Sequence, residues 1–251
     1  MSIKIFIPRE STALSLGAND VADALKDYST QHEIELNLIR NGSRGLFWLE
    51  PMVEIETLNG RFAYGPVEAS DVSSIMQDIL TNVLSNHTQD HRLALGLTEE
   101  LAFLKKQTRL TFARAGITDP LSLDDYLAMD GFTGLRNALA VTSQEIVTTV
   151  VDSGLRGRGG AAFPTGIKWQ TVHDAPSEKK YIVCNADEGD SGTFADRLVM
   201  ECDPFMLIEG MIIAGLAVGA DEGYIYLRSE YPVADEILQQ AIIIAIKAGY
   251  L

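Results

Sequence analysis

Gly154-Leu-Arg-Gly157-Arg-Gly159-Gly160-Ala-Ala-Phe-Pro-Thr-Gly166 is the stretch whose surroundings decide the fold. Before it, Thr142-Ser-Gln-Glu145 has the form of a capping box. It opens a helix through Val150 that stops at Ser153-Gly154. After it, Tyr181 to Cys184 reads as a short buried strand. Asp203-Pro204 then starts an apolar helix running to Gly219, with aspartate at the cap and proline just inside. Tyr224 to Leu227 reads as a second strand, and Pro232 to Ala248 as a helix ended by Gly249. This order predicts an α/β unit of parallel strands joined by crossover helices. The run Ala241-Ile-Ile-Ile-Ala-Ile246 is apolar on nearly every side. It needs cover beyond two strands, expected from partner chains or from sequence after Leu251.

The loop holds five glycines in thirteen positions. Glycine permits positive φ and close approach of the backbone, so successive N–H groups can converge on a phosphate. Arg156, Arg158 and Lys168 add positive charge. Gly157 to Ala162 fits the GxGxx(G/A) dinucleotide fingerprint, but it follows a helix where that fingerprint follows a strand. From the pattern alone, a phosphate cradle and an ordinary loop stand about even.

Beyond the first strand lies Asn185-Ala-Asp187-Glu188-Gly-Asp190-Ser-Gly-Thr-Phe-Ala-Asp196-Arg197. Ligands of open α/β sheets bind at the carboxyl ends of strands. Carboxylates there can accept hydrogen bonds from ribose hydroxyls, and an amide can satisfy the edge of a ring. A lone acidic loop is more often a solvated turn; a basic glycine loop in the same unit favours a site. Gly189-Asp-Ser-Gly192 equals the nucleophile tetrapeptide of trypsin-like proteases. The helices and the presence of only two cysteines oppose that reading, and a triad is defined by geometry and roles.

Upstream, Ile3–Ile7 reads as a strand, Asn19–Tyr28 as a helix and Glu33–Ile39 as a strand. Met52–Ile55 and Arg61–Tyr64 read as a hairpin around Asn59-Gly60, and Asp71–Leu84 as a helix. The order βαβ–ββα predicts a thioredoxin-like layer over residues 1–85. Residues 86–140 are expected to be a helical connector, with helices at 98–115 and 123–129, and residues 141–251 the second domain.

Composition narrows the function. The 251 residues carry a net charge of −15, which opposes sequence-independent nucleic-acid binding. The basic bias is local: Ser153 to Lys180 holds five basic and two acidic residues. The N-terminus lacks a signal-peptide pattern, and the apolar run Phe205 to Ala220 is short and carries Glu209. A cytoplasmic protein without a membrane span is expected. Cys184 and Cys202 cannot supply four ligands to an iron–sulfur cluster, so no metal ligands are expected in this sequence.

With both loops read, the chain resembles the flavoprotein, NADH-oxidising subunit of respiratory complex I and its relatives in NAD-reducing hydrogenases and NAD-dependent molybdenum formate dehydrogenases. The resemblance runs from about Gln107 to Leu251. It rests on Ser153-Gly-Leu-Arg-Gly-Arg-Gly-Gly-Ala-Ala-Phe-Pro-Thr-Gly-Ile-Lys-Trp169 and Cys184-Asn-Ala-Asp-Glu188. Gly192-Thr-Phe-Ala-Asp-Arg197 and Gly223-Tyr-Ile-Tyr-Leu-Arg-Ser-Glu-Tyr231 extend it. Gly45-Leu-Phe-Trp-Leu-Glu-Pro51 and Tyr64-Gly-Pro-Val-Glu-Ala-Ser-Asp-Val72 resemble segments of the thioredoxin-like [2Fe–2S] module of the same complexes, without its cluster cysteines.

The resemblance implies an α/β protein, a thioredoxin-like domain followed by part of an FMN/NAD-binding α/β domain. It implies FMN and NAD as cofactors, with any [4Fe–4S] ligands beyond Leu251. Gly157, Arg158, Gly159 and Gly160 would line the FMN site, with Lys168 near phosphate. Asn185, Asp187 and Glu188 would contact the flavin, and Tyr226 and Glu230 would lie beside it. Glu188 and Glu230 would bias its chemistry. Phe163 would stack on the adenine of the nicotinamide nucleotide. Asp190 stands where the family commonly has a glutamate, and Ala162 where it has a glycine. A cluster-free module before the flavin domain most resembles the diaphorase subunit of a formate dehydrogenase. That implies a hetero-oligomer with iron–sulfur, molybdopterin and small [2Fe–2S] thioredoxin-like subunits. The same role in a hydrogenase or complex I, and a non-catalytic assembly subunit, are the alternatives.

Overall fold

The computed structural model describes residues 2–84, 91–190 and 192–251. The chain forms two compact units, Met1–Ser122 with Glu201–Asp203, and Leu123–Met200 with Pro204–Leu251.

The first unit contains β1 (Ile3–Phe6), α1 (Ser11–Ser15), α2 (Ala18–Gln31), β2 (Leu36–Ile39), β3 (Val53–Thr57), β4 (Gly60–Tyr64), α3 (Val72–Asp78) and β5 (Ala94–Leu97). The sheet order is β2-β1-β3-β4-β5. β1 and β2 are parallel, and β1, β3, β4 and β5 are successively antiparallel. The first four strands have the expected thioredoxin-like connectivity. Apolar residues at helical spacing on α2 (Val21, Ala22, Leu25) and α3 (Ile75, Met76) bury against Ile5, Ile55 and Tyr64 of the sheet. The hairpin turns on Leu58-Asn59, one residue earlier than the sequence pattern indicated, and Gly60 pairs with Thr57 at a φ of +117°.

The helix expected over 98–115 does not form. A single 3-10 turn at Thr98–Glu100 is followed by turns. Phe103 and Leu110 are exposed, whereas Leu101 and Leu104 pack on Leu46, Met52 and Ala63. The apolar residues therefore serve separate contacts and build no single helical face. Arg61 donates to the carbonyls of Gly116 and Ile117 at 3.0 and 2.6 Å, tying this segment to β4.

Charge is internalised in this unit. Glu54 is 1% exposed and accepts from Arg44 and Arg61 at 3.0 and 3.2 Å. Glu50 accepts from the Ser43 hydroxyl at 2.6 Å and the Met52 N–H at 2.9 Å. Burial, assisted by repulsion from Glu10 and Glu54, outweighs those bonds and pushes the Glu50 carboxyl up to about 8.

The second unit contains α4 (Leu123–Ala128), α5 (Thr133–Leu139), α6 (Ser143–Asp152), α7 (Thr165–Asp174), β6 (Tyr181–Ala186), α8 (Ala195–Cys202, its last two residues grouped with the first unit), α9 (Pro204–Val218), β7 (Glu222–Leu227) and α10 (Pro232–Lys247). β6 and β7 are parallel, in register from Tyr181↔Glu222 to Ala186↔Leu227. Ile182 packs with Val147, Trp169, Ala217 and Val218. Cys184, Ala186, Ile225 and Leu227 pack with Met200, Ala234 and Leu238. The other face, with Tyr181, Val183, Asn185, Tyr224 and Tyr226, is exposed. On α10, Ala241 and Ala245 are buried, while Ile243 and Ile246 are exposed.

Glu209, the one acid in the apolar run, accepts from the N–H groups of Phe132 and Leu135 at 2.8 and 2.9 Å and from the Tyr126 hydroxyl. It caps the start of α5. Among the described residues, no helix is long and apolar enough to cross a membrane.

Candidate functional site

The glycine loop is a pinched hairpin between α6 and α7. Arg156 and Pro164 form an isolated bridge. Gly157 N–H donates to the Phe163 carbonyl and Thr165 N–H to the Leu155 carbonyl, each at 2.9 Å. The Arg156 guanidinium reaches the Ala162 carbonyl at 3.1 Å, so this cation braces the loop.

The glycines of the loop have different tasks. Gly154 ends α6 at a φ of +66°. Gly166 lies where α7 crosses α6, and a Cβ there would meet the Val151 Cα at 2.6 Å. Gly160 has a φ of +90°, which disfavours any side chain. Gly159 is different: no atom lies within 4 Å of the Cβ it would carry, and its φ is not positive. Nothing among the described residues requires glycine at 159. Ala162 holds a φ of +51°, where the resembling family has glycine.

Two cations in and just after this loop form no ion pair among the described residues. Arg158 is exposed, with no hydrogen bond or ion pair among the described residues. Lys168, in the first turn of α7, has Nζ 5.7 Å from the Phe163 ring centroid, and that ring is 46% exposed. The first turn of α7 has no side-chain cap, since Pro164 occupies the N-cap position.

The acidic loop leaves the carboxyl end of β6. Asn185 and Tyr226 are Cα partners across the two strands, and both are exposed. Asn185 Oδ1 accepts from the Asp187 N–H at 3.2 Å, folding the amide over the loop's first turn. Asp187 and Asp190 are exposed. Glu188 has a φ of +41° and turns its carboxylate inward. It accepts from the N–H groups of Asp196 and Arg197 at 2.8 and 3.0 Å and from the Tyr231 hydroxyl at 3.0 Å.

Arg228 donates to the Glu188 carbonyl at 2.6 Å and holds Glu230 at 3.2 Å. That hydrogen-bonded ion pair depresses the Glu230 carboxyl. Burial, then the bond to Glu188, raises the Tyr231 phenol. Burial and the charge of Glu188 raise Asp196, and burial followed by the charge of Asp196 raises the Cys184 thiol. Cys184 is therefore no ready nucleophile.

Two groups thus emerge among the residues expected from the sequence. Gly157, Arg158, Gly159, Gly160, Phe163 and Lys168 sit in and just after the first loop. Asn185, Asp187, Glu188, Asp190, Tyr226 and Glu230 sit at the carboxyl ends of β6 and β7. No hydrogen bond, ion pair or ring contact joins the groups among the described residues. Arg228 and Tyr231 were missed as site residues. Their signal was present: Arg228 stands two positions from a carboxylate, and Tyr231 immediately precedes the proline that starts α10. Ser191 of the protease-like tetrapeptide lies outside the described residues.

Residues 150–249 match the family model of the Nuo51 FMN-binding domain. The NADP-reducing hydrogenase subunit HndC of Solidesulfovibrio fructosivorans is 50% identical over 147 residues, covering 59% of this chain and 30% of that protein. An NADH-quinone oxidoreductase subunit of Aquifex aeolicus is 50% identical over 130 residues, 52% of this chain and 30% of that protein. The NAD-reducing hydrogenase HoxS subunit alpha of Cupriavidus necator is 45% identical over 116 residues, 45% of this chain and 19% of that protein.

Among solved structures, the air-oxidised NAD+-reducing [NiFe]-hydrogenase is similar with a TM-score of 0.45 and 23% identity, over 97% of this chain and 41% of that one. The thioredoxin-like [2Fe-2S] ferredoxin of Aquifex aeolicus is similar with a TM-score of 0.30 and 16% identity, over 38% of this chain and 96% of that one. The matched stretch spans less than a third of the length of these curated relatives. The match to the FMN-binding domain model begins at residue 150, in the second unit.

Proposed function

We propose that the protein is an FMN-bearing subunit that exchanges electrons between NAD(H) and one-electron carriers in a multi-subunit complex. The observation that carries this reading is the open glycine loop. Gly159 has free space on its Cα, and Arg158 and Lys168 have no ion pair among the described residues. A loop left open and positive in an acidic chain fits an anionic phosphate group. The exposed aromatic and amide groups of Tyr226 and Asn185 fit a planar heterocycle. The residues present are therefore compatible with a flavin nucleotide.

Bound FMN would supply hydride acceptance at the ring and single-electron release, chemistry that needs no protein acid or base. The chain's own residues orient and discriminate. Gly157 to Gly160 admit the phosphate-bearing chain closely to the backbone. Arg158 and Lys168 neutralise it. Asn185 and Asp187 offer hydrogen-bonding groups to the ring edge. Phe163 offers an aromatic face to the adenine of NAD(H), and Asp190 a carboxylate to its ribose. Glu230, fixed by Arg228, sets the local potential beside the ring. Holding both rings in register is the main contribution of such a site.

The names of the similar proteins, hydrogenase and NADH-quinone oxidoreductase subunits, favour an NAD-linked hydrogenase or complex I setting over the formate dehydrogenase setting expected from the sequence. The formate dehydrogenase reading rests on the cluster-free thioredoxin-like unit. Its molybdopterin partner distinguishes it from a setting with a nickel–iron partner. Purification with neighbouring subunits and metal analysis separate the two. Extraction of flavin and NADH-linked dye reduction test the common reading. Stoichiometric FMN is expected, and a purified complex without flavin would favour the non-catalytic assembly role.

A further inference from the structure

We propose that Glu188 is a positioning residue: it locks the acidic loop between α8 and the end of β7, and its carboxylate does not meet the cofactor. The inference rests on the FMN reading of the site. The resemblance puts Glu188 against the flavin, but its hydrogen bonds give it a different task.

Both carboxylate oxygens are engaged. Oε1 accepts from the Asp196 N–H at 2.8 Å. Oε2 accepts from the Arg197 N–H at 3.0 Å and from the Tyr231 hydroxyl at 3.0 Å. The two N–H groups belong to the first turn of α8, where a negative charge is favoured. Tyr231 is 6% exposed, so its hydroxyl would lose a partner in the interior if Glu188 swung outward. The backbone is committed as well. The Glu188 carbonyl takes the Arg228 guanidinium at 2.6 Å, and φ at Glu188 is +41°. That conformation is sparse for a non-glycine residue and persists where surroundings hold it.

The lock joins three pieces of chain. The carboxylate ties the loop after β6 to α8. Tyr231 ties it to the start of α10. Arg228 ties the Glu188 carbonyl to the carboxylate of Glu230. Glu188 therefore fixes where Asn185, Asp187 and Glu230 stand, while those three remain exposed.

The test uses the purified protein with Glu188→Gln, Glu188→Ala and Tyr231→Phe. FMN affinity, the flavin midpoint potential and amide hydrogen exchange at Asp196 and Arg197 are measured. FMN affinity is expected to fall about tenfold in Glu188→Ala and about threefold in Tyr231→Phe, as for loss of one or two hydrogen bonds. The midpoint potential is expected to stay at the wild-type value in Glu188→Gln and Tyr231→Phe. Exchange at the two amides is expected to speed up at least about tenfold in Glu188→Ala. A shifted potential in Glu188→Gln, with Tyr231→Phe indistinguishable from wild type, would overturn the proposal in favour of direct contact. Failure of the wild-type protein to bind FMN would instead refute the FMN reading. The exchange measurement still decides the lock in that case, because unchanged exchange in Glu188→Ala and Glu188→Gln refutes it without flavin.

Discussion

The two units use polar residues in opposite ways. The first unit buries them: Glu10, Arg44, Glu50 and Glu54 are all at most 3% exposed, and each has a polar partner within the unit. The second leaves them outside. Arg158 and Lys168 carry no ion pair among the described residues, one sheet face presents Tyr181, Asn185, Tyr224 and Tyr226, and a glycine loop stands open. The contrast separates a part that holds its shape by satisfying charge internally from a part that keeps charge and aromatic surface for something else. Glu188 and Glu209 are exceptions in the second unit, each satisfied by backbone N–H groups, and Glu188 holds the loop beside that open surface.

The largest expected effect lies in the first unit. Arg44→Met leaves Glu54 with Arg61 alone and is expected to lower the unfolding free energy by about 3–5 kcal/mol. Urea denaturation measures it; a loss under about 1 kcal/mol, as for an exposed pair, would erase the contrast. In the second unit, Gly159→Val is expected to leave the unfolding transition unchanged. It should lower FMN affinity at least about tenfold, about 1.4 kcal/mol. A destabilised protein with normal flavin affinity would show that Gly159 serves the fold.

A pH series sharpens the comparison further. The Glu50 carboxyl is raised from 4.5 to about 8 in the folded chain. The folded state therefore retains a proton that the unfolded state releases across this window. Its contribution to stability is complete below about pH 4.5 and is lost as pH rises to about 8, at roughly 1.4 kcal/mol per pH unit at the steepest. Glu50→Gln is expected to flatten that slope and to exceed wild type in stability at pH 8. Parallel stability curves for the two proteins would contradict the buried-carboxyl account. The smallest effect is expected from Ala162→Gly, which relieves a left-handed alanine and should stabilise by about 1 kcal/mol, readable as a small rise in Tm.

The sequence displayed these features unevenly. The thioredoxin-like order was legible because Ile3–Ile7, the α2 stripe and the β3–β4 hairpin each have a clear period. β5 (Ala94–Leu97) was not, because it is short and pairs at the sheet edge through Gly96, beside an irregularity at Ala63 and Tyr64. The false helix over 98–115 came from good helix formers whose apolar residues pack in separate places. α7 was hidden by Pro164 and Gly166, which read as loop residues. Proline is favoured near a helix start, however, and Gly166 makes room for α6.

At the site, residue types and positions were legible, but directions were not. Glycine count alone could not separate Gly166, needed for packing, from Gly159, which nothing among the described residues requires. Nor could a carboxylate in a loop announce that it faces a helix N-terminus. Glu188 and Glu209 both do so, from different elements, and only the fold brings their donors to them.

The most direct test of the second unit's openness compares FMN with riboflavin, which lacks the phosphate, in binding to the purified flavin-free protein at low and high salt. FMN is expected to bind at least about tenfold more tightly than riboflavin, about 1.4 kcal/mol. That advantage should shrink as salt screens Arg158 and Lys168. Equal affinity for the two ligands, or no binding of either, would contradict the assignment of the glycine loop as the phosphate site.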